Sequence, residues 1–371
     1  MLDPIVNFFV RIFNAIGRGI GWVIAGLAWP FVSFAKWVRG SAWFIKIPVF
    51  IILVFLVIGY GHLTWSTQSW SGWNPSYVAN YTFGGDAAPS DGNSDTTEGA
   101  AKQCAPSALA QVTADLIDFN VNQNRWVPSL PLYKMGLFGL DWKYTPFMDN
   151  KAAFQLGINQ ATRRVAIEFV DRLGRVRGTS SINQNLQKAR ESANYREDAW
   201  VVTMSWPFIQ PSTSSRLNDA IDSFKAFNKD LADCRANFDA RADNLLQFLD
   251  RVTSDIGATS DVLQRRMEQS NFSGIDRRAD DRFWFTYGQL YAYHGILTAL
   301  RSDFRDVFQQ RNLEALWIRV DKQLKNALQV NPFIVLNGSA SSIFKSHLET
   351  IGFDLLRVRS NLVEVRDVLD R

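Results

Sequence analysis

Two cysteines, Cys104 and Cys234, are the side chains of this 371-residue chain that could form a covalent bond with each other. In an oxidising compartment, a disulfide between them would join the start of a folded domain to its first long helix. Two unpaired structural cysteines are the alternative. The chain has no Cys-x-x-Cys pair, and no spacing of its cysteines and histidines matches that of a metal site.

The three histidines do not form a recognisable catalytic pattern. His62 lies at the end of an apolar run, His294 is expected to be a core histidine, and His347 adjoins an apolar seam. No His-Glu-x-x-His motif, Walker A sequence or Gly-x-Gly-x-x-Gly after a strand occurs, and a catalytic triad cannot be inferred from spacing alone. We therefore predict no catalytic residue, no cofactor-binding residue and no metal ligand.

Three basic residues, Arg172, Arg175 and Arg177, lie in the short sequence DRLGRVRG after a predicted helix. They could bind an anionic lipid headgroup, a cell-wall polymer or an acidic patch on a partner protein. The alternative is a solvated turn whose charges interact with the negative end of the helix dipole. The sequence leaves both interpretations open.

The charge of the chain is concentrated near its N-terminus. There are 40 basic and 36 acidic residues, a net charge of +4 and a pI near 9.0. Residues 1–83 hold five of the basic and one of the acidic residues, so the remainder is balanced at 35 of each sign. A basic surface spread over the whole protein, as nucleic-acid binding requires, is therefore excluded. We predict no nucleic-acid partner.

An apolar segment near the N-terminus predicts a transmembrane helix over residues 43–65. Residues 47–61 carry no charge, and with their flanks the apolar length reaches about 20 residues, enough for a hydrocarbon core of about 30 Å. Lys36, Arg39 and Lys46 lie before or at its start, and no basic residue follows until Lys102. By the positive-inside rule, the N-terminus is cytoplasmic and residues 66–371 lie on the other side of the membrane.

The preceding segment, residues 1–42, is also apolar and is expected to contact the membrane. Gly17, Gly21 and Ala25 recur at four-residue intervals, a pattern that lets membrane helices approach closely. The segment could be an interfacial helix or a re-entrant element. A second span is the alternative, and it would place the N-terminus outside the cytoplasm.

Composition changes sharply after the span. Residues 84–103 contain no aliphatic side chain larger than alanine and are rich in Gly, Asp, Ser and Thr. Such a segment cannot bury a core. We therefore predict a flexible tether over residues 66–103 and a folded α-helical domain over residues 104–371.

Helical periodicity dominates that domain. From residue 217 to 256, apolar residues recur in alternating steps of four and three, which predicts one helix about 60 Å long. Asn228 is a polar residue within this seam and would fix its register. A second seam covers residues 344–369, and residues 283–330 are helical in pattern. The seams could pair within one chain or between chains.

These patterns predict a mainly α fold: a membrane anchor followed by an elongated antiparallel helical bundle with coiled-coil-like long helices. Residues 124–147 contain three prolines and two glycines among aromatic residues, which predicts an irregular loop. Residues 200–211 could hold a short strand.

Three stretches resemble a known family: RWVPSLPL, FQLGINQATRRVAIEFVDRLGRVRGTSSINQNLQKAR, and HLETIGFDLLRVRSNLVEVRDVL. They are similar to an uncharacterised family of proteobacterial inner-membrane proteins, known only as a domain of unknown function. The likeness covers about residues 105–371. It implies a Gram-negative inner membrane with the bulk of the chain in the periplasm. It implies no activity and no catalytic residues.

The expected function is that of a membrane-anchored periplasmic scaffold or accessory subunit of a cell-envelope assembly. Its expected partners are the lipid bilayer and other inner-membrane or periplasmic proteins, with a homo-oligomer possible. The alternatives are a cell-envelope hydrolase with a site near the 124–147 loop, and a periplasmic sensor. A cleft in which carboxylates converge with His294 or His347 would favour the hydrolase.

Overall fold

The computed structural model describes residues 3–83, 104–137, 139–145, 147–175, 182–269, 276, 278–339 and 343–371. These residues form two compact units, which divide between His62 and Leu63. The fold is mainly helical, as predicted. Within the described residues, β-structure is limited to three isolated bridges, which join Leu137 to Leu140, Val202 to Ile209, and Asn337 to Ser346.

The α-helices are numbered in chain order. Their bounds are α1 Asp3–Gly40, α2 Trp43–Gln68, α3 Ala108–Asp118, α4 Pro131–Met135, α5 Asn150–Glu168, α6 Gln184–Ala193, α7 Thr213–Ala232, α8 Ala242–Met267, α9 Ala279–Asp303, α10 Arg305–Gln310, α11 Glu314–Leu328 and α12 His347–Leu369. A π-helical turn continues α3 and another continues α5.

The first unit consists of two apolar helices. Residues 17–40 of α1, and α2, are each long and apolar enough to cross a membrane, and both lie near the N-terminus. Their large side chains are exposed, for example Trp22 at 80% and Phe55 at 75%. Helices with these properties serve as a membrane anchor or as a signal sequence.

The second unit is built around α9, whose side chains are buried on every face between Phe283 and Leu300. Its main partner is α5, and two glycines let the helices touch. A Cβ on Gly157 would overlap the carbonyl oxygen of Phe285, and a Cβ on Gly288 would overlap that of Phe154. Two backbones can approach this closely only where neither residue has a side chain.

The long helix predicted over residues 217–256 is wrong, because the structure divides this segment into α7 and α8. The chain turns after Ala232, and Cys234 adopts a left-handed conformation with a φ of 59°. α7 packs against α3 and α6, whereas α8 packs against α12. Each half keeps an apolar face for its own partner, so the periodicity continues across a break in the helix.

The C-terminal seam is observed as one face of α12. Its residues from Leu348 to Leu369 are buried, and α12 packs against α8, α11 and α9 of the same chain. The first predicted seam residue, Phe344, precedes the helix and is 41% exposed. This face of α12 therefore pairs within the chain.

The predicted tether also needs correction at its N-terminal end. α2 continues to Gln68, and the following residues pack against the core through Trp70, Trp73, Tyr77 and Tyr81. These aromatic side chains bury too much apolar surface for a free linker. Residues 84–103, on which the prediction of a tether chiefly rested, lie outside the described residues.

Candidate functional site

The start of the folded domain is fixed to α7 and α9 by three separate contacts. Cys104 and Cys234 form a disulfide with their Cα atoms 5.4 Å apart. The Ser107 N–H donates to the Asn228 side chain at 2.6 Å, and the Asn228 amide donates back to the Ser107 carbonyl at 3.1 Å. Asn228, predicted to fix the register of a seam, thus holds the segment that enters α3.

Asp303 at the end of α9 closes the N-terminus of α3. Its carboxylate accepts from the Ser107 hydroxyl at 2.6 Å, and from the backbone N–H groups of Ala108 at 2.8 Å and Leu109 at 3.0 Å. Burial raises the pKa of Asp303 to about 6, while these three donors act to lower it. A carboxylate that satisfies free N–H groups at a helix start has a structural role.

His294 and His347, the two histidines considered for catalysis, form hydrogen bonds in different parts of the domain. His294 is buried, and its Nε2 lies 3.1 Å from the Asp321 carboxylate. The hydrogen bond from His294 lowers the pKa of Asp321 to about 2. The Nδ1 atom of His347 accepts from the Leu336 N–H at 2.9 Å, on the loop before α12.

The loop at residues 124–147 covers a cluster of aspartates. Asp149 and Asp280 are 1% and 4% exposed, and Asp281 lies beside Asp149. Burial, reinforced by the neighbouring carboxyl of Asp281, raises the pKa of Asp149 well above its usual range. Burial and Asp281 raise the pKa of Asp280 to about 7. The cluster therefore holds protons at neutral pH.

Asp149 and Asp280 are closed from solvent, and their carboxyls are not hydrogen-bonded to the histidines. Part of the 124–147 loop is packed: Trp126 and Trp142 are buried, and the Trp126 indole donates to the Glu197 carbonyl at 2.9 Å, whereas Met135 and Leu140 are exposed. Among the described residues, no group of three or more His, Cys, Asp and Glu side chains is placed to hold a metal ion.

The predicted basic patch is only partly described. Arg172 lies 3.5 Å from the buried carboxylate of Glu168, and the Arg175 guanidinium donates to the Val170 carbonyl at 2.9 Å. Both side chains therefore have partners within their own turn. Arg177 lies outside the described residues.

The small residues of α1 are uncovered. Gly17, Gly21 and Ala25 are all exposed, and a Cβ on either glycine would meet no described atom within 4 Å. The surface formed by Gly17, Gly21 and Ala25, which was predicted to let another membrane helix approach closely, is therefore exposed.

Sequence reasoning missed an exposed apolar hairpin at residues 200–209. Its ladder consists of hydrogen bonds from the Thr203 N–H to the Phe208 carbonyl and from the Gln210 N–H to the Val201 carbonyl, both at 2.9 Å. Residues 200–211 therefore form a single bridged turn rather than a full strand. The detectable signal was a sequence without charge from residue 199 to 215, in which only a short strand was considered.

A second exposed apolar surface lies on α12, away from its seam. Phe353 and Leu356, one turn apart, are 59% and 48% exposed. The Arg357 guanidinium lies 5.4 Å from the Phe353 ring centroid.

A model of the family described as "Uncharacterized protein conserved in bacteria (DUF2333)" matches residues 142–278 and 275–371, more than half of the chain. The chain belongs to this family. No curated protein and no solved structure matches it significantly. The DUF2333 match covers α5 to α12, and so includes the buried aspartates, the hairpin and the exposed face of α12. The two apolar helices precede it.

Proposed function

We propose that this chain is a membrane-anchored periplasmic scaffold or accessory subunit of a bacterial cell-envelope assembly, and that it acts by binding other proteins. α2 spans the inner membrane as the anchor, α1 lies at the cytoplasmic surface of this membrane, and the N-terminus is in the cytoplasm. The length of α2 and the basic residues Lys36, Arg39 and Lys46 support this orientation.

The observation that carries the proposal is the free face of α12. Phe353 and Leu356 stay about half exposed, although seven other apolar positions of the same helix are buried in the bundle. Adjacent large apolar residues on a helix surface are typical of protein-binding sites. Arg357 lies on the exposed side of this helix beside Phe353, so the complementary partner surface is apolar with an acidic rim.

The pairing of the seams limits how such a partner binds. The apolar faces of both segments are filled by helices of the same chain: α7 packs against α3 and α6, α8 against α12, and α12 against α8 and α11. A partner, including a second copy in a homo-oligomer, therefore binds to the outer face of α12. This is a smaller surface than a shared coiled coil, and it suits a regulated or accessory interaction.

The same geometry favours binding over envelope hydrolysis. Asp149 and Asp280 are buried, so they meet neither solvent nor a bulky polymer. His294 and His347 are hydrogen-bonded to Asp321 and Leu336, away from these carboxyls. A general acid and base must reach the substrate directly or through one water.

Site-specific photo-crosslinking in intact cells tests the proposal. A photo-reactive amino acid replaces Phe353, and the matched control carries it at Lys188, an exposed position on α6. We expect one defined protein adduct from Phe353 and none from Lys188. The adduct should disappear in the Leu356→Asp variant, with the amount of folded protein unchanged. Equal labelling at both positions, or a protein that is monomeric and without partners in mild detergent, would overturn the proposal.

A further inference from the structure

The hairpin at residues 200–209 exposes seven large apolar side chains. Its large side chains are solvent-exposed over most of its length: Trp200 39%, Val201 44%, Val202 59%, Met204 102%, Trp206 84%, Phe208 54% and Ile209 71%. Folded proteins rarely leave such a contiguous apolar surface free in water. Something covers it in the cell.

Both faces of the hairpin are apolar, which indicates what covers it. Val201 and Val202 are neighbours in the ladder, where successive side chains point to opposite faces. Both are exposed, at 44% and 59%. A partner protein docked on one face would leave the other in water, where polar residues would be expected. An environment that surrounds the hairpin satisfies both faces, and lipid is such an environment.

The composition agrees with the interfacial layer of a bilayer. No charged residue occurs between Asp198 and Arg216, so the tip can leave water without burying an ion. Trp200 and Trp206 carry the amphipathic rings that are enriched at membrane–water interfaces. The charged residues begin only where the hairpin joins the bundle.

The base of the hairpin is linked through residues 125 and 126 to Trp65 of α2. The Arg125 guanidinium lies 4.2 Å from the ring centroid of Trp65, which is three residues beyond His62. The next residue, Trp126, donates to the Glu197 carbonyl at 2.9 Å, directly before the hairpin. Two contacts thus connect Trp65, at the end of the predicted span, to the hairpin base.

Polar contacts between side chains and backbone carbonyls, and one ion pair, fix the base of the hairpin. The Lys134 ammonium lies 3.0 Å from the Asp198 carboxylate. The Thr213 hydroxyl donates to the Arg196 carbonyl at 2.8 Å, and the Tyr195 hydroxyl donates to the Pro211 carbonyl at 3.1 Å. A rigid base with an apolar tip is the arrangement expected of an element that enters a membrane surface.

We infer that the hairpin inserts into the interfacial layer of the bilayer that α2 crosses, and gives the periplasmic bundle a second membrane contact. The inference rests on the anchoring part of the proposed function. Interfacial elements bury apolar groups about 5–10 Å deep, so an inserted hairpin lies in this layer and not at the bilayer centre.

The test uses the full chain in vesicles of phosphatidylethanolamine and phosphatidylglycerol. An environment-sensitive fluorophore is attached to the variant Met204→Cys, with the native disulfide kept oxidised. Two matched variants carry the same fluorophore: Phe353→Cys on the bundle surface, and Phe55→Cys in the apolar part of α2. Quenching is measured with lipids that carry a nitroxide either near the headgroup or deep in the acyl chain.

We expect the fluorophore at residue 204 to be quenched about threefold more by the shallow nitroxide than the one at residue 353. The fluorophore at residue 55 should be quenched best by the deep nitroxide. Equal quenching at residues 204 and 353, with residue 55 quenched, overturns the inference and leaves the anchoring intact. Loss of quenching at residue 55 overturns the anchoring, and the inference with it.

Discussion

The ammonium group of Lys151 donates to the carbonyl oxygen of Ser66 at 2.8 Å, and to that of Ser69 at 2.7 Å. Ser66 lies in the last turn of α2, where backbone carbonyls lack partners within the helix. Lys151 is 2% exposed, and burial, together with the charge of Arg125, lowers its pKa to about 8. A buried cation of α5 thus caps the C-terminus of α2.

This cap predicts a stability loss in the variant Lys151→Met, which keeps the length of the side chain but removes the donor. The carbonyls of Ser66 and Ser69 would then lose this hydrogen-bond donor. We therefore expect the free energy of unfolding to fall by about 1–3 kcal/mol. Denaturant unfolding of the full chain in detergent measures the change. Lys188→Met, on the surface of α6, is the control and should change stability by less than about 0.5 kcal/mol. Equal stability of the two variants would contradict the cap.

The contact between α5 and α9 predicts that a single methyl group is harmful at either glycine. In Gly157→Ala or Gly288→Ala, the new Cβ overlaps a carbonyl oxygen of the partner helix. We expect each variant to lose about 2–3 kcal/mol, because both backbones must shift. Thermal unfolding followed by circular dichroism measures this loss.

Gly352→Ala in α12 is the matched control for both variants. Its Cβ would meet the Leu263 side chain at 3.7 Å, an ordinary contact. Alanine has the better helix propensity, so this variant should gain about 0.5–1 kcal/mol. If all three alanine variants behaved alike, the close approach of α5 and α9 would be refuted.

The disulfide predicts a reductant-dependent stability. It joins residues separated by 130 positions, and a crosslink of this kind stabilises a protein by about 2–5 kcal/mol. Adding a thiol reductant should lower the midpoint of thermal unfolding of the wild type but not that of the double variant Cys104→Ser, Cys234→Ser. The proposed periplasmic location adds that alkylating reagents label neither cysteine in intact cells before reduction. Ready labelling would place the domain in a reducing compartment.

The buried aspartates predict how stability depends on pH. The pKa of Asp280 is about 7 in the folded protein and about 3.9 in an unfolded chain. Between these values the folded state holds a proton that the unfolded state has released, so stability falls as the pH rises from 4 to 7. Asp149 and Asp281 contribute in the same direction, since burial raises the pKa of each.

In Asp280→Asn this contribution disappears, so the variant should be about 1–3 kcal/mol more stable than wild type at pH 8. Its stability should also depend less steeply on pH below 7. Unfolding midpoints measured from pH 4 to 8 provide the check, with the exposed Asp261→Asn as control. Parallel curves for wild type and Asp280→Asn would disprove the assignment.

Local patterns in the sequence were enough to predict the helical class and the buried face of α12. In α12, every seam position between Leu348 and Leu369 carries an apolar residue. Such a face becomes buried whichever helix packs against it. The break after Ala232 was not predictable in this way, because α7 and α8 keep the same period while packing against different helices. The periodicity of apolar residues indicates which face of a helix is buried. It does not indicate whether the helix is continuous.

The contacts that carry the candidate sites depend on residues far apart in the chain. Asp149 and Asp280 come together only because α5 and α9 cross, and Gly157 and Gly288 permit that crossing. The hairpin was visible as an uncharged apolar run, yet whether such a run is buried or exposed depends on what packs over it. The aromatic residues from Trp70 to Tyr81 were assigned to a tether because the sequence does not show what packs against them.

The disulfide encloses α3 to α7 and the exposed hairpin in one covalent ring. A protease that cuts the hairpin therefore does not release a fragment: the two pieces stay joined through sulfur until the bond is reduced. A nicked molecule would migrate as a single species on a gel without reductant and as two species with it. Even after a cut in the hairpin, the C-terminal helices thus stay attached to the segment that leads to α2.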